Sequence, residues 1–478
     1  MDQPGYIQPG ARYLEERALK RHARVLDLWA LGVGAVISGD FFGWNFCLAS
    51  GFGAMLAALV VMTVLYIGLC FSIAEMSPAL PHTGGAYSFA RTAMGPWGGY
   101  ITGLAENMEY ILTPAVIVVG VGGYLGAIFR TPPAWAPLWW LVCYAVFVAL
   151  NVGGVALSFR VSVGITLCAL AILLVFFAGA APLFDLHRWA LKGTGWLPTG
   201  WPGVLTALPF ALWVYLGIEQ LPLAAEESHD PARDMPRGIL WGLVTLIVCS
   251  FLTVILNAGI PPGTATVAQS TEPLFLGFRA IFGEGLRTRV LALFACTGLL
   301  ASFHTIIYAY GRQIYSLSRA GYFPSWLSVT HGRRKTPHRA LLAGSALGFL
   351  AALAIQLAGQ TSAVGAILLN MAVFGAVLAY ILQMISFVLL RRKFPHIARP
   401  YVSPVGTAGA VIALAIAAVT LIVLFLNPGY NRGVIGAAIW FLCGIAYFAL
   451  YARKRLILSP EEEFAIAHRR RANQGAVA

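Results

Sequence analysis

The sequence predicts an all-α integral membrane protein with twelve transmembrane helices. Of its 478 residues, 59% are apolar and only 11% are charged, which is far too apolar for a soluble protein of this size. Twelve apolar runs are each long enough, at about twenty residues, to cross a bilayer. These predicted spans are, in chain order, residues 26–50, 53–78, 97–129, 137–157, 160–182, 203–225, 237–260, 287–318, 339–358, 363–390, 404–427 and 433–453.

The net charge of +13 is distributed as the topology of a membrane protein requires. If residues 1–25 are cytoplasmic, 25 of the 32 Lys and Arg residues fall in segments on that side and 7 on the other. This asymmetry follows the positive-inside rule, so both termini are expected in the cytoplasm and the protein in the cytoplasmic membrane. The basic charge therefore gives no indication of a nucleic-acid partner. No small-residue cleavage site precedes Leu26, so no removable signal peptide is expected.

The cysteines and the known catalytic motifs give no sign of an enzyme. All seven cysteines lie inside or at the ends of predicted spans, without CxxC spacing, so they are expected to be packing residues. The chain contains neither a GxSxG nor an HExxH motif. We predict a protein that is not an enzyme and that has no cofactor and no metal site.

The first span contains an interruption. The stretch from Ile37 to Asn45, ISGDFFGWN, places Asp40 between Gly39 and Gly43 in the middle of an apolar run. An aspartate at the centre of a bilayer costs roughly 2.5 to 3.5 kcal/mol and is usually paired or functional. The two glycines lower the cost of leaving helical geometry. We therefore predict a helix broken near the membrane midplane.

The sixth span contains a second interruption, because Pro209 and Pro222 bracket Gly217. Spans 1 and 6 would open two five-helix units, and paired breaks at corresponding positions indicate an inverted repeat with a central site. The predicted organisation is an N-terminal segment (1–25), a ten-helix core (26–390, with halves 26–182 and 203–390), helices 11 and 12 (404–453) and a C-terminal tail (454–478).

Span 3 carries two acids near the predicted midplane. Counted from Trp97 at 1.5 Å per residue, Glu106 lies about 14 Å and Glu109 about 18 Å along the helix. Because these residues are three apart, they occupy neighbouring faces and only one is expected to face the interior. We favour Glu106. Either acid could instead form a hydrogen bond to a neighbouring helix.

Three motifs carry a resemblance to a known family. AEMSPALPHTGGAYSFAR (74–91) resembles the connection between helices 2 and 3 of the amino acid, polyamine and organocation permeases. AAEESHDPARDMPRG (224–238) resembles the loop after helix 6 of that superfamily, and RQIYSLSRAGYFP (312–324) the end of its helix 8. The resemblance covers roughly residues 26–400. It implies a LeuT-like 5+5 inverted repeat, broken helices 1 and 6, and transport by alternating access.

The sequence of the first break is similar to one branch of that superfamily in particular. GDFFGWN (39–45) resembles the ethanolamine permeases, whereas most amino acid permeases have a small-residue G-[ST]-G-I type sequence there. This resemblance implies a substrate such as ethanolamine or a similar small organic amine. The lysine of helix 5 that serves some proton-coupled members is absent from residues 166–174, so their coupling mechanism does not carry over.

The chemistry of the breaks favours the same substrate class. Amino acid members of the superfamily hold the substrate carboxylate on backbone N–H groups at the first break, where an ionised Asp40 would repel it. A substrate with an ammonium and no carboxylate removes the conflict. Aromatic faces at the breaks would stabilise an ammonium by roughly 1 to 2 kcal/mol each. The predicted substrate-binding residues are Ser38, Gly39, Asp40, Phe41, Trp44, Glu106, Asn107, Tyr110, Trp213, Tyr215 and Gly217, with Glu219 and His304 as candidates for gating or coupling.

Several alternatives stay open at this stage. The substrate could be an amino acid, choline or a polyamine, and a diamine would need a second acid such as Glu109 or Glu219. His304 is more often a core histidine than a proton relay. Because a cation gains about 2.3 kcal/mol per 100 mV on entering a negative interior, uniport is energetically sufficient, and proton symport or exchange are alternatives. A membrane receptor without flux is the alternative from another class. The expected partners are a small-molecule amine and the lipid bilayer.

Overall fold

The computed structural model describes residues 6–192, 195–270, 272–358 and 364–475. Within these residues the chain is helical, and its only strand-like pairings are isolated bridges joining Ile7 to Ile457 and Ala23 to Ser228. Eleven helices are long and apolar enough to cross a membrane, or twelve when the bent first helix counts as one span. The prediction of an all-α, multi-pass membrane protein is confirmed.

We label the twelve spanning helices α1 to α12. Their bounds are α1 Val25–Val36 (continued by Ser38–Phe41 and a 3-10 segment Trp44–Ser50), α2 Phe52–Ala79, α3 Pro96–Phe129, α4 Ala136–Val152, α5 Val155–Ala180, α6 Gly200–Trp213 (continued by a 3-10 segment Ile218–Glu227), α7 Pro231–Ala258, α8 Leu286–Arg319, α9 His338–Leu357, α10 Val364–Lys393, α11 Gly406–Leu426 and α12 Asn431–Leu450.

Some predicted boundaries differ from those observed. The fourth span ends at Val152 and the fifth begins at Val155, earlier than predicted, because Gly154 has a φ of 139° that interrupts the helix. The seventh begins at Pro231 rather than at residue 237. Its first turn is set by Asp230, whose side chain accepts a hydrogen bond from the backbone N–H of Arg233.

Among the described residues, three further α-helices of ten or more residues lie outside the predicted spans. A linking helix, Gly85–Met94, joins α2 to α3, and an outer helix, Pro273–Phe282, precedes α8. A tail helix, Pro460–Gly475, occupies most of the segment predicted only as a C-terminal tail. Its first turn contains Glu461, Glu462 and Glu463, and acidic side chains are favourable at a helix N-terminus.

The predicted interruption of α1 is present. The last helical turn ends at Phe41, Phe42 is extended, and Gly43 has a φ of 99°, a value that favours glycine. The helix before this break and the 3-10 segment after it are bent by 43° relative to each other. The break thus lies where the two flanking glycines predicted it.

The interruption of α6 is also present, and it lies between the two prolines that were predicted to bracket it. Pro209 lies within the helix and Pro222 within the 3-10 segment that follows, so neither proline marks the break. The helix ends at Trp213, and Gly217 adopts a φ of 115° before the chain continues. The break is therefore set by the glycine, since a residue with a Cβ rarely adopts this conformation.

Helix contacts in the bundle occur in corresponding pairs. α1 packs against α7 and α6 against α2; α3 packs against α10 and α8 against α5; and α3 and α8 pack against each other. α11 contacts α2 and α10, and α12 contacts α10 and α3 from the periphery.

Candidate functional site

The breaks of α1 and α6 contact each other directly. A Cβ on Gly39 would lie 2.8 Å from the Cα of Val214, and one on Gly43 would lie 2.6 Å from Nε1 of Trp213. That indole Nε1 donates a hydrogen bond of 2.9 Å to the carbonyl oxygen of Phe42. The close approach requires glycine at both positions. We call residues 38–45 and 213–219 together the central junction.

Asp40 is buried in this junction without a partner. Its side chain is 1% exposed, and neither carboxylate oxygen accepts a hydrogen bond from any described residue. Thr253 and Cys249 of α7 lie beside it, as does Tyr215. The hydroxyl of Thr253 faces the Asp40 carboxyl group, although the two do not form a well-aligned hydrogen bond. A buried carboxylate in this setting is stable only if it is protonated or meets a cation.

Tyr215, beside Asp40, and Trp44, in the same junction, both carry polar side-chain groups. The Tyr215 hydroxyl oxygen accepts a hydrogen bond of 2.9 Å from Ser250 and lies 2.8 Å from the hydroxyl of Thr63. Trp44 is fully buried, and its indole N–H has no acceptor in the described part of the chain. The junction therefore contains an unused donor as well as an unused carboxylate.

The side chain of Phe41 packs against α8. Its ring fills the space beside Gly298, where a Cβ would lie 2.3 Å from the ring, so α8 needs a glycine there. The carbonyl oxygen of Phe41 accepts a hydrogen bond of 2.9 Å from Tyr124 of α3. Phe41 thus anchors the junction to α8 and α3.

Ser38 and Gly217 also hold the junction together. The backbone N–H of Ser38 donates to Ser302 of α8 at 2.9 Å, and the Ser302 hydroxyl donates to the carbonyl oxygen of Gly34 at 2.7 Å. A Cβ on Gly217 would lie 3.3 Å from that of Ala35. Both predicted site residues therefore connect neighbouring helices.

The two acids of α3 have different surroundings. Glu106 accepts a hydrogen bond of 2.7 Å from Gln313 of α8 and one of 3.4 Å from Tyr110. Glu109 accepts none from the described residues, and its carboxyl group contacts that of Glu219. Both acids lie near Glu219 of the broken helix α6, so which of the two faces the cavity stays a prediction.

Asn107 and His304 lie in hydrogen-bonded surroundings. Asn107 donates to the carbonyl oxygen of Gly103 at 2.7 Å. The His304 ring nitrogens lie 3.1 Å from the amide nitrogen of Asn151 and 3.2 Å from the hydroxyl of Ser158, and the residue is fully buried. These contacts agree with the interpretation of His304 as a core histidine.

Several residues near the junction were missed by sequence reasoning. Thr253 and Asn257 lie on α7, and both side-chain polar atoms of Asn257 lack a partner within the described residues. Tyr66 of α2 and Tyr380 of α10 join their hydroxyls at 2.9 Å. Single polar residues in long apolar helices give no signal of the direction they face. The one available signal was that each is a polar residue within a predicted span, and this signal alone does not indicate a site.

Comparison with known proteins identifies the family. The family model described as "Amino acid permease" matches residues 24–451. This range includes both breaks and all eleven connections between the twelve spanning helices. The chain belongs to the amino acid permease family. This permease is therefore a membrane transporter and not an enzyme.

Its relatives include transporters that are named for different substrates. The permease is 31% identical to an uncharacterized transporter of Rhizobium meliloti (strain 1021), over 87% of this chain and 90% of the relative. It is 27% identical to a branched-chain amino acid permease of Bacillus subtilis (strain 168), over 92% and 94% of the two chains. It is 24% identical to a methylthioribose transporter of the same organism, over 93% and 96%.

Proposed function

We propose that this permease transports ethanolamine or a similar small organic amine cation by alternating access. The observation that carries the proposal is the buried, unpartnered carboxylate of Asp40 at the junction of the two broken helices. An ammonium bound there would compensate the charge, and the carboxylate would replace the water that the ammonium loses. Asp40 is the proposed counter-ion of the substrate.

The backbone of the first break supports an amine over an amino acid. The N–H of Asp40 donates to the Ile37 carbonyl oxygen at 3.1 Å, and that of Phe42 to the Ser38 carbonyl oxygen at 3.0 Å. The N–H of Gly43 donates to the side chain of Asn45 at 3.2 Å. These three N–H groups are already used, so a substrate carboxylate would have to displace existing bonds to bind them.

The other polar and aromatic groups of the junction fit the remaining parts of an ethanolamine substrate. Trp44 offers an indole N–H that could donate to a substrate hydroxyl, and the hydroxyl of Thr253 lies beside the Asp40 carboxyl group. The rings of Trp44 and Tyr215 could stabilise an ammonium by roughly 1 to 2 kcal/mol each. Ethanolamine carries both an ammonium and a hydroxyl. In this proposal the Glu106 carboxylate, which already accepts a hydrogen bond from Gln313, holds α3 against α8 and does not bind the substrate cation.

We further infer the 5+5 inverted repeat and the topology. An exchange of helices 1 to 5 with helices 6 to 10 converts the α1–α7 contact into α6–α2 and the α3–α10 contact into α8–α5, and both members of each pair are present. The two breaks correspond under the same exchange. With the positive-inside distribution of Lys and Arg, this arrangement supports a cytoplasmic-membrane protein with both termini in the cytoplasm.

The second candidate function is amino acid transport, which the name of the branched-chain amino acid permease favours. In that case Asp40 would bind the ammonium of the zwitterion, and the first break would have to rearrange to receive its carboxylate. The two candidates differ in how they treat a carboxylate on the substrate.

The test is uptake of labelled ethanolamine into proteoliposomes that contain the purified permease, with choline, putrescine, alanine and serine as unlabelled competitors. We expect saturable uptake that amines inhibit and zwitterions do not. Inhibition by alanine or serine would favour the amino acid candidate. Specific binding without any flux of ethanolamine or the competitors would contradict transport altogether.

A further inference from the structure

Arg233 and Arg237 of α7 line a groove on the lateral surface of the bundle. The groove has a volume of about 690 Å³ and lies between the first half of α7 and the segment that joins α10 to α11, where Tyr401 forms part of its second wall. Trp241 and Val244, further along α7, are 63% and 51% exposed. The groove is therefore open on the side of the helix that faces lipid.

The groove has a charged end and an apolar end along one helix. Arg233 and Arg237 lie in the first two turns of α7, and Leu240, Trp241 and Val244 follow in the next two. The helix rises by about 16 Å from the first arginine to the valine, at 1.5 Å per residue. In the proposed topology this end of α7 is cytoplasmic, so the arginines lie at the depth of the lipid headgroups and the tryptophan at the edge of the hydrocarbon.

Both arginines are exposed, and neither forms an ion pair with a residue that the structure describes. Asp230 accepts a hydrogen bond of 3.3 Å from the backbone N–H of Arg233, and Asp234 is buried and does not line the groove. Because Arg233 and Arg237 are four residues apart, their side chains leave the same face of the helix. Two guanidinium groups on one face match a phosphate, which accepts charge-assisted hydrogen bonds.

The apolar wall distinguishes these arginines from others at the same end of the bundle. Arg399, next to the groove, lies 3.2 Å from Glu75 and is used within the chain. Arg333 and Arg334 are exposed in the connection between α8 and α9, one after the other in the sequence. At Arg233 and Arg237 the charge continues directly into a groove with hydrocarbon-like walls. That combination is complementary to a molecule with an anionic head and an apolar chain.

The same stretch of α7 contacts the first broken helix on another face. A Cβ on Gly238, the residue after Arg237, would lie 2.8 Å from the Cβ of Leu28 on α1. α7 also packs against α2 and against the 3-10 segment that continues α6. A molecule held in the groove would therefore support a helix that touches both broken helices.

We propose that this groove binds one anionic phospholipid of the cytoplasmic leaflet. Its phosphate accepts hydrogen bonds from Arg233 and Arg237, and one acyl chain lies along Leu240, Trp241 and Val244. A zwitterionic phospholipid carries a cation beside its phosphate, which the two arginines would repel, so the site selects a lipid with net negative charge. The choice of leaflet rests on the proposed topology, and the site does not depend on the identity of the substrate.

The first test counts bound lipid by native mass spectrometry of the purified permease, titrated with phosphatidylglycerol or with phosphatidylcholine of the same acyl chains. We expect wild type to retain one phosphatidylglycerol. The double variant Arg233→Gln/Arg237→Gln should bind it about thirtyfold more weakly, because each arginine near the membrane surface contributes about fivefold. Arg333→Gln/Arg334→Gln removes the same charge from exposed positions and should bind like wild type. Equal binding by the two double variants would overturn the proposal.

A second arm separates a lipid from a free anion. Inorganic phosphate and glycerol phosphate have the headgroup chemistry without an acyl chain, so neither should displace the bound phosphatidylglycerol. Trp241→Ala should weaken binding of the lipid, because it removes part of the apolar wall. Displacement by inorganic phosphate, or retention of phosphatidylcholine as strong as that of phosphatidylglycerol, would overturn the lipid site.

Thermal unfolding in detergent gives an independent readout. Phosphatidylglycerol should raise the Tm of wild type and of Arg333→Gln/Arg334→Gln, and it should not raise that of Arg233→Gln/Arg237→Gln. Equal protection of all three proteins would overturn the proposal. These measurements contain no ethanolamine, so a failure of ethanolamine uptake leaves the lipid site standing, and a failure of lipid binding leaves the role of Asp40 standing.

Discussion

The permease buries acids in two regions that solve the same electrostatic problem differently. At the end of the bundle where both termini meet, buried acids are paired with arginine. In the central junction and beside it, Asp40, Glu109 and Glu219 have no such partner among the described residues. The pairs at the terminal end are Glu75 with Arg391 (2.5 Å) and Arg399 (3.2 Å), Glu227 with Arg312 (3.0 Å), Glu226 and Glu461 with Arg319 (2.6 and 2.9 Å), and Glu462 with Arg91 (2.6 Å).

The difference separates acids that hold the structure from acids left for a mobile cation. A buried carboxylate costs several kcal/mol of desolvation wherever it lies. Arginines that belong to the chain compensate this cost permanently at the terminal end. In the centre the compensation has to come from a proton or a substrate, because the residues that the structure describes supply no cation there. The comparison therefore predicts that the terminal acids control stability and the central acids control transport.

The tail helix shows how far the paired network extends. Glu462 accepts hydrogen bonds from Tyr6 (2.8 Å), Tyr87 (3.1 Å) and Tyr322 (2.9 Å) in addition to its ion pair with Arg91. One carboxylate therefore joins the N-terminal segment, the linking helix, the chain just after α8 and the tail helix. A segment outside the bundle core is held by the same kind of buried pair as the core helices.

The largest expected effect comes from removing an arginine at the terminal end. Arg312→Ala would leave Glu227 buried and uncompensated, and would also remove the guanidinium that lies 3.7 Å from the centroid of the Tyr308 ring. Removing one partner of a buried pair costs roughly 3 to 5 kcal/mol. Thermal unfolding in detergent should show a large drop in Tm. Arg453→Ala, at an exposed position, is the control and should leave Tm nearly unchanged.

The second expected effect dissociates function from stability at Asp40. Asp40→Asn removes a charge that has no partner, so the variant should be as stable as wild type or more stable. Loss of the counter-ion should weaken ethanolamine affinity by about thirtyfold or more, which corresponds to about 2 kcal/mol. Uptake kinetics and thermal unfolding of the same preparation measure both. If the variant loses stability but keeps its affinity for ethanolamine, Asp40 stabilises the fold and does not bind the substrate.

The third expected effect concerns the contact between the two breaks. Gly43→Ala would force a residue with a Cβ into a φ of 99° and bring that atom 2.6 Å from Trp213. The conformation alone costs roughly 1 to 2 kcal/mol, and the indole would have to move. We expect reduced uptake with a lower Tm. Gly164→Ala, on α5 with nothing within 4 Å, should be neutral or slightly stabilising.

The smallest expected effect is at an exposed pair. Arg12 and Glu16 lie 2.9 Å apart, but their side chains are 91% and 44% exposed. Glu16→Gln should change the free energy of unfolding by less than about 1 kcal/mol, because water and salt screen the pair. A loss comparable to that of Arg312→Ala would show that burial is not what separates the paired acids.

The sequence was sufficient to predict the elements that depend on local composition. The break at Gly39, Asp40 and Gly43 could be predicted because a carboxylate and two glycines interrupt an apolar run. The tail helix could not, because its polar sequence has no apolar periodicity and its stability comes from ion pairs with distant residues. Local sequence thus identifies where a span is disturbed.

The sequence could not predict which face of each helix points toward the interior of the bundle. Glu106 and Glu109 lie about one turn apart on α3, and only Glu106 accepts a hydrogen bond from Gln313 on α8, some two hundred residues away. The same is true of Thr253 on α7 beside Asp40. These outcomes depend on tertiary contacts.

The most direct measurement of the central claim is protection of the permease by ligands against thermal unfolding. A ligand that binds only the folded protein at one hundred times its Kd stabilises it by about 2.7 kcal/mol. We predict that ethanolamine raises the Tm of wild type and not that of Asp40→Asn, and that alanine raises neither. Equal protection of wild type and Asp40→Asn by ethanolamine would contradict the assignment of Asp40 as the substrate counter-ion.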